Sequence, residues 1–526
     1  MSAAVTAATG RTARRIALAA LVVFALTGGG RVTGSDEVTM LDLSRALLHG
    51  HLDVPPGATL DGPDGRHYTK NTAGQAVLAL PLAALAELGA RAAHLPSART
   101  ELGVRFIVSF FNGLVTAILL GVFYALARRL GAGPGAALGA SALLGFTTPL
   151  WFYAKSFMSE PLEALGLLLA LGNAALASAG GAQERPGERR AQRLAALGAF
   201  VAIAVKPSMV LLALAALSAL GAKRVQRWIV PLAGVALGLA AEAAYNFACF
   251  GNALHSGYGA QASLGAFSTP LFVGLYGLLV SSGKGVLWFA PAVVLAVPGF
   301  VGMRRPRAHS HEPRHGLPAR NAARAALVAC AVALAEFGTF QHWAGDGSWG
   351  PRFLVPVLPL AFLAVAFALE GASRARRRVA WALGLAGLVV TLGGVGIHFG
   401  AEMRQVGDYP YTRALDDPHF MEASHFNPRY SPIAVHWQML SRNLAAQLHG
   451  QAPRLGHAGA VDPRLGISTG DQRALLGAID VWWLYARYAG LPAVPLALAA
   501  VLLLAAAIAT IVLARRAAAA EESRAA

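Results

Sequence analysis

Long apolar runs, separated by short arginine clusters or by turn-rich polar stretches, repeat along almost the whole chain. A helix needs roughly 20 such residues to cross the hydrocarbon core of a bilayer. The runs predict spans at residues 16–30, 104–127, 135–153, 161–180, 194–205, 207–222, 228–247, 285–303, 325–340, 353–371, 379–399 and 491–513. The expected fold is therefore all-α, a polytopic membrane protein of about twelve transmembrane helices. Two runs fit less simply. A crossing at 75–95 would move Arg128 and Arg129 to the opposite side of the membrane, so this run reads as an interfacial or re-entrant helix. The run 194–222 is interrupted by "VKPS". Proline ends one helix and is accommodated in the first turn of the next, which favours a short hairpin with Lys206 and Pro207 at its tip over a single kinked span.

Composition agrees with this reading. The 526 residues are 56% hydrophobic and only 13% charged, whereas a soluble chain of this length carries about 25% charged residues. The net charge of +17 would suggest nucleic acid in a soluble protein. Here the basic residues lie in clusters beside apolar runs, at Arg14–Arg15, Arg128–Arg129, 185–193, 223–227, 304–324, 374–378 and Arg515–Arg516. That is the positive-inside pattern; it marks a cytoplasmic face, places both termini there and excludes a nucleic-acid reading. The basic residues 11–15 ahead of the first run resemble a signal peptide, but no clean small-residue cleavage site follows, so a retained signal-anchor is expected. Cys249 and Cys330 fall in different spans and form no disulfide framework or thiolate metal site.

The opposite face receives the long loops. The first, 31–103, holds Asp36, Glu37 and Asp42; others carry "FYAKSFMSEP", "YNFACFGNALHSGYGAQ", "LVSSGKG" and "HWAGDGSWGPRF". Lysine sharpens the picture. Only five of the 44 basic residues are Lys, and Lys70, Lys155, Lys206 and Lys284 all fall on the outer side, with Arg352. A lone outer lysine usually snorkels at the headgroups. Lys206 and Lys284, at Pro and Gly breaks between apolar segments, call for a partner, and a phosphate at the outer interface would satisfy the cations collectively. Loop carboxylates supply a general base for a hydroxyl, and convergent cations stabilise an anionic leaving group. Sugar transfer from a polyprenyl phosphate requires that pairing.

At these residues the sequence resembles the C-type integral membrane glycosyltransferases, in particular the bacterial relatives of protein O-mannosyltransferases and lipid A aminoarabinose transferase. The ordered pieces are "GSDEVTMLDLSRALLHGHLDV", "YTKNTAGQAVLALPLAAL", "TTPLWFYAKSFMSEPLEALGLLLAL", "VKPSMVLLAL", "YNFACFGNALHSGY", "VSSGKGVLWFAPA" and "WAGDGSWGPRFLVPVLPL", and the likeness thins beyond Gly371. It implies a transmembrane catalytic module over 1–371 whose outer first loop contains juxtamembrane helices. A C-terminal module over 372–526 would have two spans and an extracytoplasmic segment at about 400–487. Of the site residues, the resemblance points to Asp36 as the catalytic base with Glu37 as its rival, and to Glu160 as the second-loop acidic position near acceptor or metal. Adjacent residues rarely point the same way, so one of Asp36 and Glu37 would orient a neighbour or cap the helix that "SDEVTMLDL" begins. Arg352, Lys206, Lys284, Lys70 and Lys155 are the donor-phosphate candidates, since guanidinium matches phosphate bidentately. Tyr258, His342, Trp343 and Trp349 are the candidate sugar or acceptor contacts, with Asp346 in the same loop.

The implied activity is transfer of a sugar from a polyprenyl-phosphate donor to a hydroxyl on a cell-envelope lipid, glycan or protein. It would proceed with inversion, on the extracytoplasmic face of a bacterial inner membrane. No cofactor is required; a divalent metal, held through water by Asp36, Glu37 and Glu160, is the one compatible addition. His309, His311 and His315 read as a solvated cytoplasmic loop, not a zinc set. The alternatives are a transporter or flippase of lipid-linked saccharides, which calls for paired repeats and mid-membrane charge, and a ligase or polymerase of such saccharides with a His-centred basic site.

Overall fold

The computed structural model describes residues 3–179, 186–221, 224–305, 316–345, 348–399, 425–451, 462–466, 468, 478–487 and 491–525. Asp346, His309, His311, His315 and most of the 400–487 segment lie outside the described residues. The regular structure begins with α1 (Ala3–Thr27) and α2 (Ser35–Leu48), followed by an antiparallel hairpin of β1 (Thr59–Asp61) and β2 (His67–Thr69) that pairs Leu60 with Tyr68. Helices α3 (Ala73–Ala92), α4 (Ser97–Val108), α5 (Phe111–Leu130), α6 (Pro134–Phe146), α7 (Leu150–Ala154), α8 (Glu160–Ala177), α9 (Pro186–Val205) and α10 (Val210–Leu217) come next. They are followed by α11 (Ile229–Phe250), α12 (Leu271–Leu279), α13 (Val286–Phe289), α14 (Ala296–Arg304), α15 (Leu317–Thr339), α16 (Leu358–Leu369) and α17 (Arg374–Gly396). Beyond these are a helix at Pro432–Leu448 and a last long helix at Ala493–Ala525.

The fold is all-α and multi-pass in character. Among the described residues, eight helical segments are long and apolar enough to cross a membrane: Ala73–Ala92, Ser97–Leu130, Glu160–Ala177, Val225–Phe250, Leu317–Thr339, Arg352–Leu369, Arg374–Gly396 and Ala493–Arg524. Three shorter apolar helices, Pro134–Phe146, Pro207–Leu220 and Pro291–Arg304, accompany them. The run expected to lie at the interface, 75–95, is thus an unbroken helix of spanning length that takes Pro81 in its interior. The expected span 104–127 lies within the segment Ser97–Leu130, in which α4 passes into α5 through a turn at Ser109 and Phe110. The run 194–222 divides at Lys206, whose extended backbone (φ −157°, ψ 111°) separates α9 from the 3₁₀ turn Pro207–Met209 and α10. It forms two helices, both packed on α8, rather than one kinked rod.

Helices α8 and α16 are the innermost, with 83% of each span window buried, whereas only 6% of the last helix's window is. A helix apolar on every side suits either a protein core or lipid; α16 is buried in the core, and the last helix packs on α1 with most of its apolar surface left outside the protein. Small residues permit the tight central contacts. A Cβ on Gly166 of α8 would come 2.8 Å from the Gly198 carbonyl of α9. This packing brings the start of α8 and the junction of α9 with α10 to one end of the core, beside α2.

Candidate active site

The site is built on helix starts. α2 begins after Gly34, and its first N–H groups have no partner within the helix. The Glu37 carboxylate turns back to meet them, accepting from Gly34 N–H at 2.7 Å and Thr33 N–H at 3.4 Å. Its other oxygen accepts from Phe157 N–H at 2.6 Å, in the loop between α7 and α8. Glu37 is buried in this cradle. Burial pushes its carboxyl above the ordinary value, while the backbone donors oppose that rise.

Asp36, one position earlier, lies about 100° round the helix and meets cations instead. Its Oδ1 stands 3.1 Å from Lys70 Nζ, and Oδ2 stands 3.8 Å from Arg352 Nη2. Burial alone would raise its pKa, but Arg352, Lys70 and Lys206 together hold the carboxyl below its ordinary 3.8. Lys70 comes from the connection between β2 and α3, and Arg352 opens the 3₁₀ turn Arg352–Val357 that leads into α16. A cation at a helical N-terminus is unfavourable unless carboxylates face it. Here Glu160, fully buried at the start of α8, pairs with Arg352 Nε, and Asp36 approaches from the other side.

A second pair lies alongside. Glu163, three residues into α8, accepts from Ser159 Oγ at 2.6 Å and stands 3.6 Å from Lys206 Nζ. Lys206 also lies 5.1 Å from the centre of the Phe353 ring, next to Arg352. One buried oxygen on each of Glu160 and Glu163 has no hydrogen-bond partner. Tyr258 completes the outer edge: its hydroxyl donates to Asn71 Oδ1 at 3.0 Å, and Lys70 Nζ lies 5.7 Å from its ring centre. The approach depends on Gly257, where a Cβ would fall 2.7 Å from the Lys70 backbone.

The structure therefore joins Asp36, Lys70, Arg352, Glu160, Lys206 and Tyr258, drawn from six separate stretches of sequence. Other residues expected here are placed elsewhere, and the physical reasons are clear. Lys155 is buried against Asp480 at 2.9 Å and donates to the Val395 carbonyl. Lys284 is buried and donates to the Ser348 carbonyl oxygen and to its hydroxyl at 3.2 Å. Trp343 and Trp349 are not open sugar platforms, since each is 1% exposed. Trp343 stacks on Phe426 with ring centres 5.4 Å apart, and Trp349 packs on His436 at 4.4 Å. His342 packs edge-on against Phe340 and approaches Gln341 at 3.3 Å. Sequence reasoning passed over Glu163 and Asn71. The spacing of Glu163 three residues after Glu160 in "SEPLE" places both on one face of α8, which was the available signal; Asn71 gave none.

Three carboxylates, of Asp36, Glu160 and Glu163, facing three cations, Lys70, Lys206 and Arg352, make a polarised cluster with the chemistry to order an anion beside a proton acceptor. Among the described residues, no group of three or more His, Cys, Asp or Glu side chains is arranged to hold a metal ion.

No family model matches the chain, and no curated protein sequence does. Two solved structures are similar in fold. The crystal structure of ArnT from Cupriavidus metallidurans bound to undecaprenyl phosphate shares 17% identity, covering 87% of this chain and 73% of that one, with a TM-score of 0.47. Its apo state shares 17% identity over 90% of this chain and 75% of that one, with a TM-score of 0.43.

Proposed function

We propose that this chain is a C-type membrane glycosyltransferase of a bacterial inner membrane. It moves a sugar from a polyprenyl-phosphate donor to a hydroxyl acceptor at the extracytoplasmic face. The observation that carries this reading is the single carboxylate of Asp36 standing between Lys70 and Arg352. A base and an anion cradle are thereby adjacent, as transfer from a lipid phosphate requires.

In the proposed reaction the acceptor oxygen attacks the anomeric carbon on the face opposite the phosphate. Its proton passes to Asp36, and the bond from the anomeric carbon to the phosphate oxygen breaks. The configuration inverts. The departing lipid phosphate gains a second negative charge, and Arg352, Lys70 and Lys206 stabilise it as that charge develops. Glu160 keeps the Arg352 guanidinium aimed at the phosphate, and Glu37 keeps the first turn of α2 in place through three backbone N–H groups.

The cations that ionise Asp36 at rest also make it a weak base. Donor binding removes that weakness. A phosphate that engages Lys70 and Arg352 shares their field, so the Asp36 carboxyl becomes more basic once the donor is seated. The site is then primed only when there is something to transfer.

The test uses purified protein, a panel of polyprenyl-phosphate sugars and a membrane extract as acceptor source, with release of free polyprenyl phosphate as the readout. Release from one class of donor, dependent on the extract, is the expected result. Absence of release across the panel would remove the reading.

A further inference from the structure

Two ion-pair groups outside the site converge on the backbone that carries Asp36. The loop 28–34 follows the end of α1, where the last carbonyl groups of a helix lack partners of their own. A stretch some 457 positions later supplies them. Trp482 Nε1 donates to the Ala25 carbonyl at 2.9 Å, Trp483 Nε1 to Leu26 at 2.8 Å, and Trp482 N–H to Gly28 at 2.9 Å. Just before these, the buried Asp480 carboxylate accepts from Arg31 Nε at 2.9 Å and lies 2.9 Å from Lys155 Nζ. Its own N–H donates to the Gly396 carbonyl at 2.7 Å.

The second group lies further along α2. Arg464 Nη1 reaches both oxygens of Asp42, at 2.9 and 3.0 Å, six residues beyond Asp36 on the same helix. Asp462 pairs with Arg105 of α4, and Arg105 Nη1 donates to the Val32 carbonyl at 3.1 Å. Arg105 is held in turn by Glu101 at 2.7 Å, Glu101 by Arg45 at 2.6 Å, and Arg45 by Glu87 at 2.9 Å. Arg31 and α2 are thus tied directly to residues from the C-terminal part of the chain, on either side of the base, and Val32 is tied to Asp462 through Arg105. Buried ion pairs are poor sources of net stability but are costly to break singly, which suits them to fixing position.

We infer that Asp480 and Arg464 are positioning residues for Asp36, clamping the loop before it and the helix after it; this rests on the reading of Asp36 as the base. Loosening either clamp lets the first turn of α2 drift from Lys70 and Arg352. The base then meets the acceptor less often. Its carboxyl also leaves the field of Arg352, Lys70 and Lys206, while Glu37 beside it and Tyr258 across from it remain.

The experiment compares full-length Asp480→Asn, Asp480→Glu and Arg464→Ala with wild type in detergent. Hydrogen exchange of peptides covering 29–42 is measured first, independently of activity. Steady-state kinetics across pH follow, with whichever polyprenyl-phosphate sugar the wild type turns over. Asp480→Asn and Arg464→Ala are expected to exchange about tenfold faster in 33–40 and not in α16. Their kcat should fall about tenfold with donor KM little changed, and the acidic limb of kcat/KM should rise by about one pH unit. Asp480→Glu should recover most of kcat. If Asp480→Asn fails to fold, the more exposed Arg464→Ala carries the test alone. Unchanged exchange overturns the inference, and so does faster exchange with a wild-type kcat and pH profile. A wild type that turns over no donor defeats the functional reading instead, and exchange still decides the clamp.

Discussion

A carboxylate that acts as a base must be ionised at rest and basic when it acts, and in the proposed reaction the cations around Asp36 separate those two requirements. Burial raises its pKa, but Arg352, Lys70 and Lys206 outweigh burial, so the free enzyme keeps Asp36 ionised down to below pH 3.8. The acidic limb of kcat/KM, which reports the free enzyme, is therefore expected below pH 3.8. The limb of kcat reports the donor complex and should lie higher, because the bound phosphate shares the cations' field. Coincident limbs would mean that the donor does not draw the cations from Asp36. Glu37 provides the internal contrast, because its oxygens are committed to Gly34, Thr33 and Phe157. Glu37→Gln replaces one of those acceptor oxygens with an amide donor, and should cost about 2 kcal/mol of stability while lowering kcat far less than loss of Asp36. Thermal melts and kinetics on the same preparation separate the two effects.

At the scale of elements, the site depends on how closely α3 approaches the end of α9. Thr72 Oγ1 lies 2.8 and 2.7 Å from the Ala204 and Val205 carbonyls, which share its single proton. A Cβ on Gly74 would strike the Ala204 carbonyl and come 2.8 Å from Val205 N. Those atoms are backbone and cannot rotate away, so α3 and α9 must separate to admit a methyl group. Lys70 precedes one of these helices and Lys206 follows the other. Gly74→Ala is thus expected to raise the donor KM several-fold and to lower the melting temperature, the overpacking cost being about 1–3 kcal/mol. A binding isotherm of unchanged midpoint would show that the two lysines do not depend on this contact.

For the whole molecule, acid sensitivity should come from buried imidazoles as well as carboxylates. Burial first, with Arg31 and Lys155 adding to it, pushes His398 down to about 3, and burial likewise pushes His436 down to about 3. Both are neutral in the folded protein, while an unfolded chain titrates them near 6.5. Their folded pKa values are depressed, so their contribution is present above pH 6.5 and lost as pH falls towards 3. At pH 5.5 each would already have lost about 1.4 kcal/mol. A melting temperature that declines between pH 7.5 and 5.5, with a smaller decline in His398→Asn, is the expected result of a detergent-phase pH series. What could be read from sequence follows from range. Apolar runs announce helices because the signal is local, and Asp36, Glu160 and Arg352 stand out because each is a charge at the outer end of an apolar run. The pairing of Asp480 with Arg31, 449 positions away, has no local signature. The burial of Trp343 and Trp349 was equally hidden, because it depends on small residues at Gly277 and Gly394 in other helices.

The central claim is that Asp36 takes the acceptor's proton. The most direct measurement is single-turnover release of polyprenyl phosphate by purified, folded Asp36→Asn beside wild type, with donor binding measured on the same samples. Asparagine keeps the shape and removes the basic oxygen. Retained donor binding and a chemical step slower by at least about a thousandfold are expected. Turnover at the wild-type rate would contradict the claim.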